Sequence, residues 1–153
     1  MLFNPALESP LEGVGDRIHQ ARTLTPALIR EVVADVCSRL PTMKKAGKSS
    51  AIDRLIEAGA WCDVAFALLN IELPSWTVRR LVYDDGEWFC SLSQTPNLPL
   101  DLDDTAEAHH SSLPMAIIGA LIEARKRTLP APAAALPHSH AHPVCAMSCD
   151  NFG

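Results

Sequence analysis

Between Trp76 and Ser93, two runs rich in β-branched and aromatic residues flank Asp84-Asp85-Gly86. That pattern reads as a β-hairpin closed by a tight turn. An isolated hairpin is marginal in water, so it requires a third strand or a covering helix. Nearly everything around it has helical periodicity. The expected class is therefore α+β: a two- or three-stranded antiparallel sheet packed with helices. Leu98, Leu100 and Leu102 alternate with Pro99 and Asp101. Residues 98–102 are thus the expected third strand, confined to the sheet edge because Pro99 cannot donate to a ladder.

The turn sets which hairpin residues face each other. If Asp85-Gly86 is a two-residue turn, Tyr83 opposes Trp88, Leu81 opposes Cys90 and Arg79 opposes Leu92. A three-residue turn with a glycine bulge shifts that pairing. Both faces are substantially apolar, so the aromatics are expected mainly in the core, with the hairpin as a floor for the helices. Neighbouring strand residues point to opposite faces, so Arg79 and Arg80 cannot share one surface. Trp76, Arg79 and Arg80 are the candidate partner-contacting residues, and the turn register decides which arginine is free.

Thr25 suits an N-cap and Pro26 the first helical position, where its missing N–H would have no partner anyway. Leu28, Ile29, Val32, Val33, Val36, Cys37 and Leu40 recur at helical spacing before Pro41, predicting a helix over about 26–40. Thr42 to Ser50 reads as a basic connection. Ser50 with Asp53 can form a capping box for a second helix over about 51–71. That segment is apolar nearly all round after Gly59, which marks it as the expected organising element. Asp103-Asp104-Thr105 looks like an acidic helix start with Glu107 completing the cap. Pro114 moves the rigid part to about 112–127, ending on Arg125, Lys126 and Arg127 where the macrodipole favours cations. Pro5, Pro10, Gly13 and Gly15 mark residues 1–15 as an arm, and prolines among alanines mark 129–153 as a tail. The folded unit is expected over 16–128, opening with a short helix from Asp16.

Composition then removes function classes. Hydrophobic residues make up 48% and charged residues 20%, which argues against wholesale disorder. A net charge of −5 argues against a protein that lives on nucleic-acid phosphates. The longest uncharged apolar runs, Val64 to Leu69 and Leu113 to Ile122, fall short of the ~20 residues of a membrane span. The start has no basic n-region or apolar h-region of a secretory signal. Cys37, Cys62 and Cys90 sit inside apolar periodic segments, where free thiols act as small hydrophobes. Reduced thiols in the cytoplasm are the expectation.

His138, His140, His142, Cys145, Met147 and Cys149 crowd the tail, and imidazole and thiolate are the ligands favoured by Zn²⁺, Ni²⁺ and copper. Alternate histidines are not a zinc-finger spacing, so the expected metal set His138, His140, His142, Cys145 and Cys149 has nothing to pre-organise it. The run Thr42 to Ser49 ends in Gly-Lys-Ser but lacks the first glycine and the preceding strand of a phosphate loop. Glu107 and His110 have the Glu-x-x-His spacing of carboxylate-bridged metal sites, in one copy where two are needed. No Ser-His-Asp pattern is visible, and Cys90 lies mid-strand without a local base. A polar cleft lined by Asp103, Asp104, His109 and His110 would be the mark of a small enzyme.

The segments IDRLIEAGAWCDVAFALLNIELPSWTVRRLVYDDGEWFCSLS and LDDTAEAHHSSLPMAIIGALIEARKR resemble a group of small uncharacterised proteobacterial proteins, common among rhizobia-like bacteria. The resemblance runs from Ile52 through Arg127, about half the chain, and implies a natural, cytoplasmic, folded domain. It implies no catalytic activity, and the histidine-rich tail lies outside it. The expectation is a non-enzymatic interaction module with a protein partner or a homodimer, formed through the long apolar helix or an exposed sheet edge. No cofactor, nucleic acid or membrane is expected. The alternatives are metal binding through the tail, with Zn, Cu or Ni, and a small enzyme.

Overall fold

A computed structural model describes residues 9–48 and 50–129. In chain order these form α1 (Pro10–Gln20), α2 (Pro26–Asp35), α3 (Arg39–Lys45), α4 (Ser50–Glu57), α5 (Trp61–Glu72), β1 (Thr77–Asp84), β2 (Glu87–Ser93), β3 (Ala106–His110) and α6 (Leu113–Thr128). The fold is α+β, with a three-stranded antiparallel sheet in the order β1-β2-β3.

The apolar character of α6 sets the arrangement. Met115, Ala116, Ile117, Ile118, Ala120, Leu121, Ile122 and Ala124 are all buried, so the helix is enclosed on nearly every side. It crosses β2 and β3, while α5 and α1 pack against it from elsewhere. Small residues permit the close approach: a Cβ at Gly119 would stand 2.9 Å from the Cβ of Ala108. The expected organiser, the segment after Gly59, is less enclosed. In α5, Val64, Ala65, Leu68 and Leu69 are buried, whereas Trp61, Phe66 and Ile71 are half-buried. The central role belongs to α6.

Two helices expected to be continuous are broken. The 26–40 helix keeps its Thr25 cap, whose Oγ1 accepts from Leu28 N–H at 3.2 Å, but it stops at Asp35. A new helix, α3, begins at Arg39 because the Glu72 carboxylate, from the end of α5, accepts the N–H groups of Ser38, Arg39 and Leu40. Pro41 therefore falls in the first turn of α3, where a missing N–H costs nothing. Thr42 to Lys45 is helical rather than linker. The 51–71 helix divides at Gly59, whose φ of +66° needs no Cβ to be accommodated. Gly59 N–H donates to Ile56 O at 3.1 Å and Ala60 N–H to Leu55 O at 3.0 Å, the Schellman closure of α4. Ser50 is the first residue of α4 rather than its cap, and Asp53 pairs with Lys44 at 3.3 Å.

The N-terminal helix starts earlier than expected. Ser9 caps it through Glu12 N–H at 3.4 Å, Pro10 takes the first position, and Leu11, Val14 and Ile18 are buried. Residues 10–15, expected in the arm, belong to this packed helix. The hairpin keeps the two-residue turn: Asp85 (φ +49°) and Gly86 (φ +83°) are both left-handed, as a type I′ turn demands. Tyr83 faces Trp88 and Leu81 faces Cys90, as that turn requires. A bulge between Val78 and Arg80 then sets Val78, not Arg79, opposite Leu92.

The third strand is Ala106–His110, not 98–102. Leu100–Leu102 is a 3-10 turn, and the residues expected to open a helix pair with β2 instead. Ala106, Ala108 and His110 point toward α6, and the small Ala108 is the one that lies against Gly119. The tail expected over 129–153 lies, beyond Leu129, outside the described residues. Among the described residues, no helix is long and apolar enough to cross a membrane.

Candidate interaction surface

Strand alternation gives the sheet two unlike faces. Cys90, Leu92, Ala106, Ala108 and His110 look toward α6. The opposite face carries Arg80, Val82, Phe89, Ser91, Glu107 and His109, and it leaves Arg80, Glu107 and His109 exposed. The register places these six in two rows across the strands. Arg80, Ser91 and Glu107 form one row; Val82, Phe89 and His109 form the other. The Arg80 guanidinium lies 5.7 Å from the Phe89 ring centroid, and the His109 ring lies 4.8 Å from the same ring. A cation, an aromatic ring and an imidazole, one from each strand, thus stack across the open face. Glu107 accepts from Thr105 Oγ1 at 2.8 Å, and no ion pair joins it to Arg80. Ser91, between them, is 2% exposed, and its hydroxyl finds no hydrogen-bond partner among the described residues.

One end of this face is closed by the segment from Gln94 to Thr105, which is held by a polar lock. The Asp103 carboxylate, 1% exposed, pairs with the Arg79 guanidinium. It also accepts from Ser93 Oγ at 2.7 Å and from Thr95 Oγ1 at 3.0 Å. Arg79 donates in addition to the carbonyl of Leu98 at 2.8 Å, and Ser93 Oγ accepts from Thr95 N–H at 2.9 Å. Burial alone would raise the Asp103 carboxyl, but the hydrogen bonds from Ser93, Thr95 and Arg79 and the guanidinium charge outweigh it and hold it below its ordinary value. Ser93 shares the parity of Ser91 and Phe89, so the lock lies on the open-face side of β2. The segment it fixes presents Leu98, Leu100 and Leu102, which are 42%, 63% and 71% exposed. Large apolar side chains on a fixed backbone next to an open sheet face make this the candidate interaction surface.

The candidate contact residues separate. Trp76 is buried, its indole N–H without a partner among the described residues, and Arg79 serves the lock. Arg80 lies on the open face. The bulge diverts Arg79 into the lock, which turn register alone could not foresee. The tail residues His138, His140, His142, Cys145 and Cys149 lie outside the described residues.

The enzyme-like cluster is not assembled. Asp103 is in the lock and Asp104 pairs with Arg127. His109 is on the open face. His110 is buried on the other side, where its Nδ1 accepts from Ser112 N–H at 2.9 Å. Its Nε2 lies 2.7 Å from Ala21 O, a hydrogen bond that ties β3 to the end of α1. A cleft of about 360 Å³ between α1, β3 and α6 touches His19, Glu107, His109, His110 and Lys126 but neither aspartate. Glu107 and His110 sit on a strand, three apart, and so point to opposite faces. Among the described residues, no three His, Cys, Asp or Glu side chains gather as a metal site. Burial pushes the Cys37 and Cys90 thiols up to about 12, so neither is a thiolate nucleophile at neutral pH.

Comparison of the chain with family models, curated proteins and solved structures finds no match. The surface must be read from its own chemistry. Sequence reasoning missed Glu107 and His109 as surface residues because it placed them on a helix. It missed the leucine display because alternation of leucine with Pro99 and Asp101 was assigned to a strand. Asp103, followed by a run with no helical apolar spacing until Met115, was the signal available.

Proposed function

We propose that this chain is a non-enzymatic protein-interaction module of the cytoplasm, whose contact surface is the open sheet face together with Leu98, Leu100 and Leu102. The observation that carries the reading is the exposure of these leucines on a segment fixed by a buried carboxylate and an arginine. Leucines on a loose loop could fold inward; these are held outward. A net charge of −5 gives nucleic acid little reason to occupy the face, while mixed charge beside apolar surface suits another protein.

The test replaces Leu98, Leu100 and Leu102 with serine together. Because all three are exposed, stability should change by no more than about 0.5 kcal/mol. Chains that co-purify with the tagged full-length protein at its native level, a second copy included, should then be lost in quantitative mass spectrometry. Identical partners at identical stoichiometry in wild type and variant would overturn the reading.

A further inference from the structure

We infer that the occupant of the open face is a second copy of this chain, packed face to face about a two-fold axis running along β2. The inference rests on the proposal above that this face binds protein, and it names the partner. One row orders its charges across the strands: positive Arg80 on β1, neutral Ser91 on β2, negative Glu107 on β3. Neighbouring strands are about 4.8 Å apart, so the Arg80 and Glu107 backbones stand about 10 Å apart across Ser91, and the side chains turn to other partners, Arg80 to the Phe89 ring and Glu107 to Thr105 Oγ1. A half-turn about β2 exchanges left and right without changing height along the strands. It brings β1 of one copy over β3 of the other, so that Arg80 meets the second copy's Glu107, twice. The same operation sets Phe89 against Phe89 and Val82 against His109. A two-fold axis running across the strands through this row would set Arg80 on Arg80 instead.

The geometry suits known packing. Sheets packed face to face keep their strands within about 30° of each other, as this operation requires once twist is included. A two-fold interface uses one patch that is complementary to itself, and a row reading plus, neutral, minus has that property. Because height is preserved, both Leu98–Leu102 segments come to the same end of the dimer. The face is small, a few hundred Å² per copy against roughly 800 Å² for a stable interface. The dimer is therefore expected to be weak and reversible.

The experiment is sedimentation equilibrium of the full chain from about 5 to about 500 micromolar at low salt, where the charge contribution is largest. Wild type should show a monomer–dimer equilibrium. Arg80→Glu and Glu107→Arg should each weaken it about tenfold or more, since each places like charges together twice. The double variant, R80E with E107R, should recover to within about threefold of wild type because the row is reversed but still self-complementary. Both positions are exposed, and a thermal melt confirms that each variant is folded. A wild type that stays monomeric, a dimer indifferent to the reversals, or a double variant as weak as the singles would each overturn the inference. A monomeric wild type that nonetheless loses other partners in the leucine variant would sink the second copy while leaving the interaction module standing.

Discussion

Replacing Glu72 tests whether one buried carboxylate sets the course of the N-terminal half. Glu72 is 3% exposed, and its oxygens accept four hydrogen bonds: from Ser38 N–H at 2.9 Å, Arg39 N–H at 3.0 and 3.1 Å, and Leu40 N–H at 2.7 Å. Leu40 is fully buried, so in Glu72→Ala its N–H is left without water or protein, at a cost of about 1–3 kcal/mol. Ser38 and Arg39 are exposed, and water can recover part of their loss, leaving about 0.5 kcal/mol each, the low end of a lost N-cap. The sum is about 2–4 kcal/mol, a large share of the ~5–15 kcal/mol that holds a domain together. Glu72→Gln keeps one acceptor for Leu40 and Arg39 but turns an amide donor toward Ser38, so about half the loss is expected. Glu72→Asp has the charge without the reach and should resemble alanine. Urea unfolding followed by circular dichroism measures all three, with melting points falling about 4 °C per kcal/mol in a chain of this size. An alanine variant within about 0.5 kcal/mol of wild type, or a glutamine variant worse than alanine, would refute the reasoning.

Other consequences are equally direct. Gly119→Ala gains helix propensity of up to about 1 kcal/mol but drives a methyl into Ala108, so a net loss of about 1–2 kcal/mol is expected in urea unfolding, and adding Ala108→Gly should recover most of it. The Asp103 carboxyl is depressed in the folded protein, so its contribution is present above the unfolded value near 4 and is lost as pH falls through the lower folded value. Protection factors at Thr95 and Leu98, with the intrinsic pH dependence of amide exchange divided out, should therefore hold down to about pH 4 and fall below it, whereas Asp103→Asn should lower them at every pH; protection that falls as pH rises would contradict the lock. With Cys145 and Cys149 changed to serine, a thiol reagent at pH 8 should label Cys62 first, leaving Cys37 and Cys90, with thiols near 12, protected until the chain unfolds.

What was legible in the sequence was whatever repeats at a fixed period. The hairpin around Asp84-Asp85-Gly86 and the last helix, ending on Arg125 to Arg127, follow from alternation, turn chemistry and 3.6-residue spacing, while the register from Tyr83 to Leu81 is one of the two that the turn allowed. What was not legible depends on partners remote in sequence. Nothing local to Ser38 announces that Glu72, 34 residues on, will start a helix there, so Pro41 read as a stop. Nothing local to Ala106 announces that β2 has a free edge, so short alanines and histidines read as a helix cap. Gly59 was visible, yet one glycine in an apolar run is compatible with a continuous helix until its φ is known. The open face suffered most, because it takes one residue pair from each of the three strands, and the third strand had been placed elsewhere.

The corrections share a cause. Glu72, Asp103 and His110 are buried or nearly buried polar groups, each satisfied by backbone or side chains distant in sequence, and each pins a segment that has no regular period. Glu72 fixes where α3 begins and His110 ties the end of α1 to β3; both shape the interior. Asp103 differs in what its order achieves. It removes a carboxylate and most of a guanidinium from water, a step that costs free energy unless the hydrogen bonds are complete. The return is not burial of the segment's own apolar side chains, since Leu98, Leu100 and Leu102 remain outside. A loop selected for stability alone would turn those leucines inward and leave its polar groups in solvent. This one does the reverse, and a fixed apolar display beside an open sheet face is the arrangement that the proposed interaction module requires.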